Sequence, residues 1–265
     1  MNGEIVKYGI NNNLQGYLSL PSNKKGPGII ILQEWWGLVD HIKDVSDRYA
    51  KKGFVALAPD LYDGQKTIEP NEAQKLMMEL KIDDASTKIK SSIKFLKDEN
   101  YISNNKIGCV GYCMGGGLAI YMATQKVIDA AVPYYGVLIN AEPDWSQINC
   151  PILGHYAEHD KATESLDQMK LELNKYNAKH TFHIYNGTEH AFFNDERPEI
   201  YNKQAAELSF ERTIKFLDDL SLLTAGSNEI LITRANGTPT DEHGSWYCIH
   251  EHIQQRILFI LTSNR

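Results

Sequence analysis

From residue 4 to about 221, short apolar runs alternate with segments of helical period. The runs are Gly28–Leu32, Phe54–Ala58, Lys106–Val110, Ala130–Tyr134, Pro151–His155 and Thr181–Tyr185. Each is apolar nearly throughout, so both faces of its sheet are covered, as in a parallel sheet with crossover helices. Two earlier segments, Ile5–Tyr8 and Gln15–Leu20, alternate more and flank the turn residues Asn11, Asn12 and Asn13, which predicts an antiparallel edge hairpin. Helical spacing covers Asp40–Lys52, Asn71–Asn100 as two helices, Gly115–Lys126, Thr163–Tyr176 and Tyr201–Leu220. The last is the clearest, with Ala205, Leu208, Ile214 and Leu217 predicted to face inward. The expected fold class is α/β: a doubly wound, mostly parallel sheet with helices on both faces. Such a sheet opens its ligand crevice at the carboxyl ends of its strands.

After Leu223 the pattern changes. Thr224–Asn228 is linker-like, Glu229–Thr233 and Trp246–Ile249 are apolar, and Asn236–Pro239 is turn-prone. The expected division is a domain over 1–221 and a C-terminal extension over 222–265. The extension reads either as two short strands joined by a loop or as a partly disordered tail. His243, Cys248, His250 and His252 cluster there, but their spacing fits no standard zinc frame, and no metal is expected.

Composition narrows the function classes. Over 265 residues the net charge is −7, which opposes binding to nucleic acid phosphates or an anionic membrane surface. The first ten residues, MNGEIVKYGI, have neither the basic nor the apolar region of a signal peptide, and no apolar run reaches the length of a membrane span. The expectation is a cytoplasmic protein, a monomer or weak homodimer, whose partner is a small molecule. In that compartment its four cysteines stay reduced, which favours reactive or buried thiols over disulfides.

The most informative stretch is Lys106-Ile-Gly-Cys-Val-Gly-Tyr-Cys-Met-Gly-Gly-Gly-Leu-Ala119. An apolar strand runs into Gly111-Tyr112-Cys113-Met114-Gly115, and a helix follows at once. This is the pattern G-x-S-x-G of a nucleophile elbow, with cysteine in place of serine. A thiol there stands at a helix N-terminus, where the dipole favours thiolate. The plainer alternative is a buried apolar cysteine beside a glycine-rich turn. A dinucleotide-binding turn is the rival for the whole fold, but Gly111-x-x-x-Gly115 lacks the G-x-G-x-x-G register.

A nucleophile needs an acid and a base on later strand ends, in that order. Asp160 follows the run that begins at Pro151, with Glu158 and His159 as competitors, and His190 follows the run that begins at Thr181. His180 and His183 fall at the start of or within a strand and read as structural. The backbone N–H of Met114, and by position that of Trp35 in the loop after the third strand, could form an oxyanion hole. Glu34 beside Trp35 could hold the thiol in a resting network. Trp36, Tyr62, Phe192 and Phe193 are expected to form an apolar, substrate-binding mouth.

These motifs together resemble the dienelactone hydrolase family: Gln33-Glu34-Trp-Trp-Gly37, Ala58-Pro-Asp-Leu-Tyr62, Gly111-Tyr-Cys-Met-Gly-Gly116, Asp160, and Gly187-Thr-Glu-His-Ala-Phe192. The resemblance spans residues 5 to 221. It implies an α/β-hydrolase fold and a Cys113–His190–Asp160 triad acting on lactones or small esters through a thioester intermediate. It also implies a glutamate, here Glu34, that interacts with the nucleophile, and no cofactor. Family members hold a substrate carboxylate with arginines, one after the Asp-Leu-Tyr segment and one just past the catalytic histidine. Here no arginine occurs from 61 to 100, and Arg197 is the nearest cation after His190. Neutral esters or lactones are therefore expected to be preferred. The alternative from another class is a non-catalytic small-molecule-binding protein on the same scaffold.

Overall fold

The computed structural model describes residues 2–139 and 141–222. The expected extension, its strands and its histidine–cysteine cluster lie outside the described residues. Eight strands form one sheet: β1 (Glu4–Tyr8), β2 (Leu14–Ser19), β3 (Gly26–Leu32), β4 (Val55–Pro59), β5 (Ile102–Tyr112), β6 (Ala130–Tyr134), β7 (Ile152–His159) and β8 (His180–Glu189). Their spatial order is β1-β2-β4-β3-β5-β6-β7-β8. Pairing is antiparallel for β1–β2 and β2–β4 and parallel from β4 to β8. The expected edge hairpin and parallel body are both present.

Seven helices accompany the sheet: α1 (Asp40–Lys51), α2 (Pro70–Glu79), α3 (Ile82–Asp98), α4 (Met114–Ala123), α5 (Lys161–Glu164), α6 (Leu166–Lys175) and α7 (Lys203–Leu222). Strand alternation divides the core in two. Ile29 and Ile31 pack on one face with Ile42, Val45 and Tyr49 of α1 and Ala205 and Leu217 of α7. Ile30 and Leu32 pack on the other with Ile89 of α3, Leu118 of α4 and Leu173 of α6. With both faces covered, the central strands have no use for polar alternation, which explains their unbroken apolar runs.

Four expectations are corrected. The segment Thr163–Tyr176 is two helices broken at Ser165, whose hydroxyl donates to Ala162 O at 2.8 Å. Leu208, expected inward, is 39% exposed. The buried face of α7 is set instead by Ala205, Ser209, Thr213 and Leu217, a stripe of period four in which two polar members escape a hydrophobic count. Glu158 and His159 end β7 rather than lying in the loop after it. Likewise β8 continues through Asn186 to Glu189, so His190 comes directly off a strand end.

Candidate active site

The nucleophile candidate sits where β5 gives way to α4. Cys113 has φ 54° and ψ −116°, a left-handed conformation costly for a side chain with a Cβ. Its neighbours show why the turn is glycine-rich. A Cβ on Gly111 would fall 1.9 Å from Gly115 O, and one on Gly115 would fall 2.4 Å from Leu32 O. The second clash also shows that the start of α4 packs against the end of β3. Backbone bonds hold the turn to the next strand, from Cys113 N–H to Tyr134 O at 3.1 Å and from Val137 N–H to Cys113 O at 3.3 Å. Cys113 is half-buried, whereas Cys109 and Cys150 are buried.

His190 and Asp160 meet at the ends of β8 and β7. Asp160 is the N-cap of α5, where its Oδ1 accepts from Ala162 N–H at 3.0 Å. Its Oδ2 accepts from His190 Nδ1 at 2.8 Å, with the carboxylate 5% and the imidazole 36% exposed. A carboxylate can only accept, so Nδ1 carries the hydrogen and Nε2 is left for another partner. Cys113 lies near enough to act on the imidazole. Burial alone lowers the proton affinity of His190, but hydrogen bonds to Asp160 and Cys113, and the negative charge of both, outweigh it. The imidazole is pushed up from the usual 6.5 to about 10. The competitors are occupied elsewhere. Glu158 accepts from Gly187 N–H at 2.7 Å, and His159 is 64% exposed. His180 bonds Ala178 O, and His183 stacks on His155, consistent with structural roles.

Glu34 is 1% exposed, two residues after the end of β3. It accepts from Asn194 Nδ2 at 2.8 Å and from the Tyr135 hydroxyl at 3.4 Å, so both hydrogen-bond partners are neutral. Sequence reasoning missed Tyr135 and Asn194. Tyr135 has φ 39°, and its ring stands edge-on to that of His190 at 5.0 Å. Burial first, then the charges of Glu34, Tyr112 and Cys113, push its hydroxyl well up. Asn194 follows His190 by four residues, a spacing that could have flagged it. Nothing local announced the left-handed backbone at Tyr135.

The expected mouth residues separate. Trp35 and Trp36 are half-buried and stand edge-to-face at 5.0 Å, with the Arg197 guanidinium 6.0 Å from the Trp36 ring. Met114 is buried, and its Sδ accepts from the Tyr62 hydroxyl at 3.2 Å, so what it could offer a substrate is its backbone N–H. Tyr62 is itself 5% exposed. Phe192 and Phe193 are corrected outright. At 0% and 2% exposure they lie below the site, packed on Tyr135, Tyr185, Tyr112 and Tyr134, because the turn at Ala191 (φ 66°) sends the chain inward. Among the described residues no cluster of three or more His, Cys, Asp or Glu could hold a metal ion, and no helix is long and apolar enough to cross a membrane.

Comparison with known proteins is decisive for the family. The profile described as "Dienelactone hydrolase family" matches residues 14–221. The chain belongs to the dienelactone hydrolase family. It is an ester and lactone hydrolase by that membership. Protein usf of Aquifex pyrophilus is 35% identical over 228 residues, covering 82% of this chain and 98% of that relative. A protein of Aquifex aeolicus, provisionally named a carboxymethylenebutenolidase, is 31% identical over 225 residues, covering 81% of this chain and 97% of its own length. A crystal structure from Klebsiella pneumoniae, provisionally named a dienelactone hydrolase, superposes with TM-score 0.73 at 23% identity, covering 82% of this chain and 98% of that one. At that identity the superposition speaks for the fold alone, an α/β-hydrolase.

Proposed function

We propose that this dienelactone hydrolase family member cleaves a small ester or lactone, in the manner of a carboxymethylenebutenolidase, through a Cys113–His190–Asp160 triad. The observation that carries the reading is the His190 imidazole. It is fixed by Asp160 at 2.8 Å and engaged with a cysteine held in a left-handed strand-to-helix turn. The proton shared by Cys113 and His190 rests on His190 Nε2 as Sγ bonds the substrate carbonyl carbon. The resulting oxyanion is stabilised by the backbone N–H groups of Met114 and Trp35, which belong to the two segments that meet at Gly115. The carbon–oxygen bond to the leaving group breaks, His190 returns its proton to that oxygen, and a thioester remains. Water, deprotonated by His190, attacks the thioester. The acid leaves and the thiol is restored. Asp160 keeps the imidazole in the right tautomer and stabilises its charged form. Glu34, held by two neutral donors, is the buried carboxylate that Tyr135 links to the site, and Trp36 is the half-buried aromatic two residues after it.

The test is Cys113→Ala assayed on small lactones and p-nitrophenyl esters. The expected loss in kcat is at least about a thousandfold, with an unchanged fold by circular dichroism. Activity above about a tenth of wild type overturns the assignment.

A further inference from the structure

One sizeable concavity beside the site is not one the reaction above requires. A cavity of about 760 Å³ opens at the carboxyl ends of β6 and β7, within the range of small-molecule pockets. Its walls include Val137, Leu138, Pro143, Trp145 and Met169, and Asp160 forms part of its lining. Two of its lining residues are bonded directly to Cys113 or His190. Val137 N–H is bonded to Cys113 O, and Asp160, whose Oδ2 holds His190, faces the cavity from the other end. A small second cavity shares Val137 and Ala141 with it and is lined by Met114 and Gly117 at the start of α4.

Its position fixes which part of a substrate it faces. The β3 loop carrying Trp35 lies on one side of β5 in the sheet, and β6 and β7 lie on the other. A carbonyl oxygen turned toward Trp35 and Met114 leaves the departing oxygen toward His190, the side on which this cavity opens. The charges set the chemistry. Glu142, Asp160 and Glu172 face Lys161 around a wall that is mostly apolar apart from Ser165 and Gln168, an excess of acid over base that disfavours anions. We infer that the cavity is a leaving-group subsite taking a neutral, apolar alcohol arm of aryl-alkyl size, so that open-chain esters of such alcohols are substrates. This rests on Cys113 as the nucleophile.

The experiment compares methyl, benzyl and 4-carboxybenzyl esters of one acid. Benzyl is expected to exceed methyl in kcat/KM by about tenfold or more, and 4-carboxybenzyl to fall below benzyl by a similar factor. Leu138→Trp, which narrows the cavity, is expected to lower the benzyl-to-methyl ratio by about fivefold or more, as is Trp145→Ala, which removes a wall. A wild-type ratio near one, or ratios unmoved in both variants, overturns the subsite. Binding is read separately from turnover, by titrating benzyl alcohol into the Cys113→Ala protein and following tryptophan fluorescence. Saturable binding that Leu138→Trp weakens supports the subsite, and absence of binding overturns it. Failure of the nucleophile assignment is a different result: Cys113→Ala would still turn over the methyl ester.

Discussion

Asp160 shows how the bonding of one side chain is set apart by what surrounds its competitors. The sequence offers Glu158, His159 and Asp160 in a row. Only Asp160 combines a cap bond with a bond to His190, while Glu158 is spent on Gly187 N–H. Glu158 is therefore no replacement, and Asp160→Asn is expected to lower kcat by about a hundredfold to ten thousandfold through the wrong imidazole tautomer. A loss below about tenfold in ester hydrolysis would move the orienting role elsewhere. The imidazole carries a second expectation. Its proton is held more tightly in the folded protein, so its stabilising contribution is complete below about pH 6.5 and disappears as pH rises through about 10. The gap in melting temperature between wild type and His190→Ala should narrow across that window, and a constant gap would contradict the pairing. That Cys113, His190 and Asp160 stand at strand ends was legible because motif and chain order place them there. Tyr135 and Asn194 were not, since their place beside Glu34 depends on a left-handed turn and on a side chain arriving from 160 residues away.

Helix α7 illustrates the same limit one level up. Its period was readable, but its buried face is partly polar. Thr213 Oγ1 bonds the Tyr134 hydroxyl at 2.8 Å and His155 Nε2 at 2.9 Å, joining α7 to β6 and β7. His155 is completed by the Tyr185 hydroxyl at 2.8 Å, which in turn accepts from Arg212. Burial first, then the charges of His183 and Arg212, hold His155 well below the usual histidine range, so it serves as a neutral linker. Thr213→Val keeps the shape and strands two buried polar groups. The expected cost is about 2–3 kcal/mol in urea unfolding, largely recovered in Thr213→Ser. A cost under about 0.5 kcal/mol would mean that neither bond matters to stability. The strands were the easiest elements to read because two covered faces leave a continuous apolar signature. Their ends were harder: β5, β7 and β8 extend into polar residues whose pairing is set by neighbouring strands rather than by their own composition.

For the molecule as a whole, every described element ends by Leu222 and the family match ends at residue 221. A chain stopped at Ala225 is expected to melt cooperatively and to keep kcat/KM within about threefold of the full chain. Insolubility or loss of the cooperative transition would assign residues 226–265 to the stability of the domain. That shortened chain also exposes a practical property of the sulfur arrangement. It lacks Cys248 and keeps three thiols. Burial pushes Cys109 far up and Cys150 up to about 12, the latter helped by the nearby Asp129 carboxylate. Neither thiol is disposed to react at neutral pH. Cys113 is the half-buried member of the three. An alkylating reagent should then add one equivalent per chain, and the fraction of protein gaining that mass should equal the fraction of turnover lost. The shortened protein thus comes with its own titrant stoichiometry, letting a single mass spectrum count its working molecules.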